Sequence, residues 1–261
     1  MKGKTIFITG ATSGIGEGCA RKFAAMGSNL ILNGRNTEKL ESLKKELTAQ
    51  GVEVLTLPFD VRDRKAMQQA ADSLQGQWKH VDVLINNAGL VIGMDKEHEG
   101  SLDEWDIVID TNIKALLAMT RLIVPGMVER GCGHVINIGS IAGDAAYAGG
   151  SVYCATKAAV KALSDGLRID LVDTPVRVTN IKPGMVETNF SVIRFRGDQD
   201  KADAVYKGIR PLTGDDIADV VYYAASAPAH VQIARYLSCL PIRQQELYVT
   251  GKNKLPDIED K

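Results

Sequence analysis

Residues 5–27, TIFITGATSGIGEGCARKFAAMG, contain the signal that decides the fold. The stretch begins with a short apolar run at 5–9, which predicts a buried strand, and it ends in a helical pattern that stops at Gly27. Between strand and helix lies a turn that is rich in glycine, at 9–18. Such a turn lets the backbone approach a phosphate group closely, because the first amides of the following helix are free and partly positive. The stretch therefore predicts an α/β fold with a phosphate site after its first strand.

The glycines of this turn follow a variant of the usual dinucleotide-binding spacing. Gly10, Gly14 and Gly16 are arranged as G-x-x-x-G-x-G instead of G-x-G-x-x-G. The physical requirement is similar, since both spacings let the backbone approach a pyrophosphate. A plain glycine turn between strand and helix is the alternative, because short motifs also occur by chance.

Further apolar runs alternate with helical patterns along most of the chain. The later predicted strands are 29–34, 52–57, 81–86, 133–139 and 176–181, and the longest helical stretch between them is 102–130. Several of these runs are almost continuously apolar, which is typical of a parallel sheet that is covered on both faces. The alternation predicts a Rossmann-like, doubly wound parallel sheet. No linker-like segment divides residues 1–184, so we expect a single domain.

The pattern becomes less regular after Pro183. Residues 185–213 mix charged and apolar residues without one period, and a segment of this length in a compact domain is usually a lid or a binding segment. A helical pattern follows, and RYLSCLP at 235–241 predicts a last strand. We therefore assign residues 1–241 to the domain, with a helical substrate lid at 185–213, and residues 242–261 to a C-terminal tail.

The composition limits the classes of function. The 261 residues are 45% hydrophobic with a net charge of −1, and the basic residues are scattered, so the chain shows no electrostatic footprint for nucleic acid. No apolar run approaches the roughly 18 residues of a membrane span, and the N-terminal apolar run is too short for a signal peptide. The 4 cysteines lie far apart without metal-ligand spacing, which favours reduced thiols, a cytoplasmic protein and no metal site.

A tyrosine and a lysine lie four residues apart in SVYCATKAAVKAL, at 151–163. In a helix, Tyr153 and Lys157 share one face. An ammonium group beside a phenol stabilises the phenolate and lowers the pKa of the phenol, which suits an enzyme that moves a proton near neutral pH. The pair alone is a weak signal, because this spacing also arises by chance.

The end of the second strand indicates which nucleotide binds. A carboxylate about 20 residues after the glycines usually binds the adenosine ribose, whereas an arginine there accommodates a 2′-phosphate. Here the strand ends in LNGRN, with Arg35 and no acidic residue. Arg35 is suited to a charge-assisted contact with phosphate and Ser13 adds a hydroxyl donor, so we expect NADP(H) as the cofactor. A solvated surface arginine is the alternative.

Three further motifs follow the glycine-rich turn in order. They are NNAG at 86–89, NIGS at 137–140 and the Y-x-x-x-K spacing of Tyr153 and Lys157. With these motifs the sequence resembles the short-chain dehydrogenase/reductase family, over nearly the whole chain up to Pro241. Four motifs in order are much more specific than any one of them.

The resemblance implies four catalytic residues, Asn112, Ser140, Tyr153 and Lys157. In this family reading, Tyr153 protonates a carbonyl oxygen while Ser140 donates a hydrogen bond to it. Lys157 and the positive nicotinamide lower the pKa of Tyr153, and Asn112 holds a water that connects Lys157 to solvent. The alternatives are that Ser140 only caps the turn after its strand and that Asn112 is an ordinary amide on a helix surface.

The resemblance also implies a set of cofactor-binding residues in the loops that follow the strands. The set is Gly10, Thr12, Ser13, Gly14, Ile15 and Gly16 in the turn, Arg35, Asp60 and Val61 near the adenosine, Asn87, Ala88 and Gly89 after the fourth strand, Tyr153 and Lys157, and Pro183, Gly184, Val186 and Thr188 near the nicotinamide amide. Together these residues are expected to bind NADP(H).

A narrower resemblance concerns the substrate. YAGGSVYCATK at 147–157, VIRFRGD at 192–198 and PAHVQI at 228–233 are similar to the branch of NADP-dependent 3-hydroxy acid dehydrogenases, which are usually homotetramers. This similarity implies reduction of malonic semialdehyde and the reverse oxidation of small 3-hydroxy acids. The residues expected to bind the substrate are Ser140, Tyr147, Gly184, Arg194, Arg243 and Tyr248. Arg194, on the lid, is expected to pair with an anionic group, with a solvated lid arginine as the alternative.

Other functions stay open on the sequence alone. Arg243 and Tyr248 in the tail either contact a neighbouring subunit or face the pocket, where the added cation suits sulfoacetaldehyde, which is reduced to isethionate. An NADP-binding sensor or scaffold without catalysis is a different class, but it needs no catalytic serine or tyrosine. A ketoreductase of acyl-carrier substrates favours a basic docking patch, and the lid segment RFRGDQDK is too mixed in sign to form one.

Overall fold

Seven parallel strands form one sheet in the computed structural model, which describes residues 1–239. The strands are β1 (Thr5–Ile8), β2 (Asn29–Gly34), β3 (Val54–Pro58), β4 (Val83–Asn86), β5 (His134–Ile138), β6 (Arg177–Pro183) and β7 (Arg235–Ser238). Their order across the sheet is β3-β2-β1-β4-β5-β6-β7. The chain therefore runs outward to one edge, returns to the centre and runs outward to the other edge, which confirms the predicted doubly wound sheet.

Helices cover both faces of this sheet. Those of residues 1–239 are α1 (Gly14–Ala25), α2 (Thr37–Thr48), α3 (Arg64–Asp72), α4 (Leu102–Ile109), α5 (Ala115–Glu129), α6 (Ser151–Asp170), α7 (Phe190–Arg194), α8 (Gln199–Ala204) and α9 (Gly214–Ser226). In β1, Ile6 and Ile8 pack in the core with α1, α2 and α9, whereas Phe7 packs in the core with α3 and α5. Burial on both faces explains why the strands are continuous apolar runs. Within the described part of the chain, no helix has the length and apolar character that crossing a membrane requires.

The helical stretch predicted over 102–130 is interrupted in the structure. A π-helical turn, Asp110–Lys114, separates α4 from α5. The residues that flank this turn keep ordinary helical backbone angles, so the sequence pattern continues across it and does not reveal it. Turns of this kind occur frequently at functional sites, and this one contains Asn112.

Some other boundaries also differ from the prediction. β3 begins at Val54, two residues later than predicted, and the preceding Glu53 amide donates to the Asn29 side chain at 3.0 Å. Residues 185–213 contain the short helices α7 and α8, so the predicted lid is helical only in part. The predicted tail 242–261, with Arg243 and Tyr248, lies outside the described residues.

Neighbouring asparagines begin the two strand-end motifs, NNAG and NIGS. Asn86 of β4 is in register with Asn137 of β5, and its Nδ2 donates to the Asn137 Oδ1 at 2.9 Å. Asn137 in turn donates to the Ser164 hydroxyl of α6 at 2.9 Å. These buried hydrogen bonds tie the ends of two central strands to each other and to α6, and thereby fix the loops that follow the strands.

A buried histidine lies at the start of β5. The Thr179 hydroxyl donates to the Ile233 carbonyl at 2.6 Å, so His134 Nε2 donates to that hydroxyl, at 2.7 Å. His134 Nδ1 is buried and has no hydrogen-bond partner among residues 1–239. Burial, together with the nearby charge of Arg177, lowers the pKa of His134 to about 3. His134 is therefore neutral in the folded protein at ordinary pH.

We predict that mild acid destabilises the fold through His134. The pKa of an unfolded histidine is about 6.5, so below that value the unfolded chain binds more protons at this position than the folded chain. The stabilisation is present above about pH 6.5 and is lost as the pH falls, by about 1.4 kcal/mol between roughly pH 7.5 and pH 5.5. Urea unfolding at the two pH values measures this loss.

A matched pair of variants isolates the contribution of this histidine. His134→Gln should remove about 1.4 kcal/mol of the pH dependence. The control, His230→Gln, changes an exposed histidine and should leave the pH dependence as it is. An unchanged pH dependence in His134→Gln would show that protonation of this residue does not affect stability.

Candidate active site

A cleft of about 680 Å³ opens at the carboxyl ends of the central strands. Its wall includes Gly10 after β1, Asn87 after β4, Ser140 after β5 and Gly184 after β6. β1 and β4 are neighbours from which the chain winds in opposite directions. In open α/β sheets, ligands bind at such a switch point, outside the carboxyl ends of the strands.

The glycine-rich turn after β1 forms part of this wall. Gly10 and Gly14 have φ values of 65° and 55°, in the left-handed region that favours glycine. Ser13 caps α1 in an extended conformation without a side-chain capping hydrogen bond, so its hydroxyl and the first amides of α1 are suited to bind an anion. The structure does not place Gly16 in the cleft wall. A Cβ atom at Gly16 would lie 2.5 Å from Asn87 Nδ2, so this glycine is required for packing behind the turn.

Two arginines and a carboxylate line the end of the cleft near β2 and β3. Arg35 is exposed there, as predicted, and Asp60 accepts from Arg62 Nη2 at 2.7 Å. The hydrogen bond from Arg62, and the weaker effect of the Arg35 charge, hold the pKa of Asp60 below its ordinary value. This end of the cleft is thus positive overall, which fits an anionic group. Arg62 is not among the residues predicted from the sequence, although its place directly after Asp60 and Val61 was an available signal.

Tyr153 and Lys157 lie on α6, and both side chains line the cleft, as predicted. The Lys157 ammonium donates to the carbonyl of Ile138, at the end of β5, over 2.9 Å. It lies 5.8 Å from the centre of the Tyr153 ring. Both residues are buried, so the structure brings the phenol and the ammonium together away from bulk water.

The acidity of this pair differs from the prediction. Burial raises the pKa of the Tyr153 phenol well above its ordinary value, and the Ser140 hydroxyl and the Arg194 charge lower it to a smaller extent. Burial also lowers the pKa of Lys157 to about 8. The predicted net lowering of the Tyr153 pKa is therefore not found for the protein groups by themselves, because removing water from the phenol has a larger effect than any neighbouring charge. The part of that expectation that concerns the bound nicotinamide stays a prediction.

Ser140 follows β5 and caps the short 3₁₀ helix Ile141–Gly143. Its hydroxyl oxygen accepts from the Ala142 amide at 3.1 Å. A hydroxyl group has two lone pairs and one proton, so this cap fixes the oxygen and does not use the proton. Capping, which was the alternative interpretation, is thus compatible with donation into the cleft.

Asn112 is buried behind the cleft wall and is not an amide on a helix surface. Its Oδ1 accepts from the Leu90 amide at 2.8 Å, and its Nδ2 donates to the Leu90 carbonyl at 2.8 Å and to the Thr156 hydroxyl at 3.0 Å. Both amide protons are therefore used, which leaves the side chain one Oδ1 lone pair for the predicted water. A Cβ atom at Gly89 would lie 3.3 Å from Asn112 Oδ1 and 3.5 Å from Lys157 Nζ, so both groups lie close behind Gly89.

Arg194, the last residue of α7, lies in the cleft wall beside Tyr147. Its Nη2 donates to the Tyr147 hydroxyl at 2.7 Å, and its guanidinium lies 5.1 Å from the centre of the Tyr147 ring. Arg194 Nε is buried and has no hydrogen-bond partner in the described part of the chain. Phe190, on the same helix, packs edge-on against the Tyr153 ring, with centroids 5.5 Å apart. α7 thus carries a guanidinium with an unpaired donor close to the phenol.

Most of the remaining predicted residues also line the cleft. They are Thr12, Ile15, Val61, Ala88, Gly89, Pro183, Val186 and Thr188. The Thr188 side chain lies over the glycine-rich turn, since a Cβ atom at Gly14 would lie 2.8 Å from Thr188 Cγ2. The predicted substrate residues Arg243 and Tyr248 lie outside the described residues.

Several residues of the cleft wall are not among those predicted from the sequence. Met94, Phe190, Ser191, Tyr206 and Cys239 line it. Ser191 and Tyr206 form a hydrogen bond of 2.6 Å between their hydroxyls, and Tyr206 donates to the Val186 carbonyl at 3.0 Å. These residues lie in a loop, a short helix, a turn and the end of a strand, and their spacing carries no motif, so no local signal identified them.

Comparison with known proteins identifies the family of this chain. The model of the short chain dehydrogenase family matches residues 4–197. The chain belongs to this family. The family resemblance inferred from the sequence is thereby confirmed, together with the fold class and the prediction of an oxidoreductase.

The relatives by sequence match nearly the full chain. An NADP-dependent 3-hydroxy acid dehydrogenase of Salmonella typhi is 49% identical over 240 residues, which are 92% of this chain and 95% of that protein. Sulfoacetaldehyde reductase 2 of Chromohalobacter salexigens is 45% identical over 240 residues, which are 92% of this chain and 94% of that protein. Among solved structures, the closed form of serine dehydrogenase complexed with NADP⁺ matches with a TM-score of 0.88 at 44% identity, covering 96% of this chain and 98% of that one.

Proposed function

We propose that this short-chain dehydrogenase uses NADPH to reduce short aldehydes that carry an anionic group, and that it catalyses the reverse oxidation of small 3-hydroxy acids. The observation that carries the proposal is the Arg194 guanidinium in the cleft wall, whose buried Nε has no partner among residues 1–239. A buried donor without an acceptor costs about 1–3 kcal/mol, and an anionic substrate supplies the missing acceptor. Relatives of this chain are named for 3-hydroxy acids and for sulfoacetaldehyde, both of which are anionic.

The size of the substrate follows from the position of Arg194. Phe190 and Arg194 lie on the same short helix, and Phe190 contacts the ring of Tyr153. Phe190 and Arg194 are four residues apart in α7, so their side chains lie on one face of this helix. An anion held by Arg194 therefore lies only a few bonds from a carbonyl held at the phenol. The expected substrates are three- or four-carbon semialdehydes and the corresponding hydroxy acids.

A carboxylate fits the described residues better than a sulfonate. The guanidinium plane matches the two oxygens of a carboxylate, and Arg194 Nη2 already binds Tyr147, which holds that plane in place. A sulfonate has three oxygens to satisfy and needs further donors. Sulfoacetaldehyde is therefore the second candidate, supported by the related reductase of Chromohalobacter salexigens.

The cleft fits NADP(H) along its length. Ser13 leaves its hydroxyl and the first α1 amides for the pyrophosphate, and Arg35 and Arg62 make the adenosine end positive for a 2′-phosphate. Asn87, Ala88 and Gly89 and the segment from Pro183 to Thr188 complete the wall toward Tyr153. NADP dependence in the Salmonella typhi relative and NADP⁺ in the matching solved structure support the same cofactor. When bound, this cofactor supplies or accepts the hydride of the reaction.

The residues around the phenol perform the acid–base part of the reaction. Ser140, whose oxygen is fixed by its cap, donates its proton in a hydrogen bond to the carbonyl oxygen and stabilises the charge that develops there. Tyr153 transfers its proton to that oxygen. Lys157, with a pKa of about 8, is mostly protonated at neutral pH and stabilises the phenolate that forms. Asn112 holds the segment around Leu90 against α6, so that Lys157 stays at the cleft.

A binding protein without catalysis does not account for this arrangement. A sensor or scaffold needs the phosphate site, but it has no use for a buried tyrosine beside a buried lysine, because burying these groups costs free energy. A ketoreductase of acyl-carrier substrates needs a basic docking surface near the lid. Arg196 of the lid is instead paired with Asp95 and Glu104.

The assembly and boundaries of the protein complete the proposal. We assign residues 1–241 to the catalytic domain, with 185–213 as the lid, and the tail 242–261 to contacts with a neighbouring subunit. We expect a cytoplasmic homotetramer, and the exposed apolar side chains Ile169 and Val172, which are 70% and 83% exposed, favour subunit contacts.

The substrate proposal is tested by NADPH oxidation with four aldehydes. We expect wild type to prefer malonic semialdehyde and succinic semialdehyde over a neutral aldehyde of equal length, with sulfoacetaldehyde as the sulfonate probe. Arg194→Gln should raise KM for the anionic aldehydes by about 10- to 100-fold, the loss of one charge-assisted contact, and should change KM for the neutral aldehyde little. A wild-type preference for the neutral aldehyde would overturn the proposal.

The role of Tyr153 is tested by removing one oxygen atom. Tyr153→Phe should lower kcat by at least about 1,000-fold, because the proton donor is lost, while NADPH binding measured by fluorescence stays within about threefold. The control Tyr223→Phe changes a tyrosine that is 60% exposed and should retain full activity. Appreciable turnover by Tyr153→Phe would mean that another group is the proton donor.

Cofactor preference is tested at the adenosine end of the cleft. Arg35→Gln should weaken NADPH binding by about 10- to 100-fold and leave NADH binding within about twofold, because only NADPH carries the 2′-phosphate. Arg62→Gln should weaken NADPH binding as well, since it removes a cation and leaves Asp60 unpaired. Arg121→Gln, at an exposed arginine outside the cleft wall, is the control. Equal losses for NADPH and NADH in Arg35→Gln would contradict the assignment.

A further inference from the structure

Arg196 lies two residues beyond Arg194 and has an unusual backbone conformation. Its φ is 54°, and among residues 1–239 no other residue except glycine has a positive φ. It follows Phe195, the C-cap of α7, at a position where helices commonly end in glycine. A side chain in this region is strained, and such strain persists only where other interactions hold the residue in place.

The Arg196 side chain makes such interactions with two other parts of the protein. Its Nε and Nη2 donate to the two carboxylate oxygens of Glu104 in α4, each at 2.8 Å. Nη2 also pairs with Asp95, in the loop after β4. The bidentate contact is directional, so it fixes the orientation of the guanidinium as well as its position.

A backbone contact lies directly beneath this ion cluster. The Gly93 amide donates to the carbonyl of Arg194 at 2.8 Å. A Cβ atom at Gly93 would lie 2.8 Å from Arg196 Nη2 and 2.6 Å from Asp95 Oδ2. The absence of a side chain at Gly93 therefore lets the ion cluster pack against the backbone that holds Arg194. We call Arg196, Asp95, Glu104 and Gly93 the lid clamp.

We propose that the lid clamp positions Arg194 for anion binding, so that Arg196 sets the preference for anionic substrates without touching them. The proposal rests on the proposed function, in which Arg194 binds the anionic group. The clamp holds the end of α7 from one side through Gly93, and the Tyr147 hydroxyl holds the Arg194 guanidinium from the other, at 2.7 Å. Loss of the clamp releases the first of these two supports, and Arg194 then has to be ordered by the substrate itself.

This inference predicts an effect on substrate binding more than on stability. Exposed ion pairs contribute little to stability, and the Arg196 side chain is 47% exposed. A positioning role instead requires that the clamp remove alternative positions of Arg194 before the substrate arrives. Substrates without an anionic group do not use Arg194 and should be insensitive to the clamp.

Arg196→Gly is the most informative variant, because glycine suits the backbone at this position and the fold is not impaired. We expect KM for malonic semialdehyde to rise by about 5- to 20-fold, with kcat, NADPH affinity and KM for the neutral aldehyde each within about twofold. Arg196→Lys keeps the charge without the bidentate contact and should recover part of the loss. Glu104→Gln should raise the KM for malonic semialdehyde as well. Combining it with Arg196→Gly should raise this KM no further, because both changes remove the same contact between Arg196 and Glu104.

Arg21→Gln is the matched control, since Arg21 is similarly exposed and pairs with Glu17 of α1 and Glu46 of α2, outside the cleft wall. It should leave every kinetic constant within about twofold. An unchanged KM for malonic semialdehyde in Arg196→Gly, or an equal rise for the neutral aldehyde, overturns the clamp. Arg194→Gln separates the two proposals: loss of anion preference in that variant but not in Arg196→Gly overturns the clamp alone. Absence of anion preference in wild type overturns the proposed function and the clamp together.

Discussion

In-register pairing of the parallel strands fixes the geometry on which every other part of the site depends. Asn86 pairs with Asn137, and Asn137 with Asn180, so this row of asparagines sets the relative positions of the carboxyl ends of β4, β5 and β6. Ser140 follows one of these strands, and the Ile138 carbonyl at its end accepts from Lys157 at 2.9 Å. The register thus sets where the loops that follow the strands begin, and a shift by one residue would turn the side chains of the shifted strand to the opposite face of the sheet.

Burial has opposite effects on the two central titratable groups. It raises the pKa of Tyr153 and lowers the pKa of Lys157 to about 8, since each group loses water in its charged form. The protein by itself therefore keeps the Tyr153 phenol neutral, as the proposed role of proton donor requires. The phenolate becomes favourable only as charge develops in the reaction, which is the condition for stabilising a transition state more than the ground state. The hydrogen bond from Asn112 to Thr156 of α6 and the cap that Ser140 forms with the Ala142 amide hold the segments around Tyr153 and Lys157 in place.

The two ends of the cleft carry arginines in different surroundings. At the adenosine end, Arg35 and Arg62 lie at the surface, and Asp60 pairs with Arg62. At the substrate end, Arg194 lies against the Tyr147 ring with a buried, unpaired donor. The first arrangement suits a long cofactor that arrives from solvent, and the second suits a small substrate enclosed by the lid. In the proposed function, substrate selectivity resides mainly in the predicted lid, a segment of short helices and turns at the surface, where sequence changes are tolerated by the fold.

The sequence by itself determined the parallel sheet, the glycine-rich turn and the pairing of Tyr153 with Lys157. These features follow local rules: strands and helices have fixed periods, Gly10 and Gly14 occupy a conformation that other residues avoid, and residues four apart share a helix face. Only the tertiary structure decided the contacts of Arg196, the π-helical turn around Asn112 and the direction of the pKa shift at Tyr153. Arg196 and Glu104 are 92 residues apart, and burial depends on all the surrounding elements at once. No local pattern encodes such distances or the loss of water, because both arise only when the chain has packed.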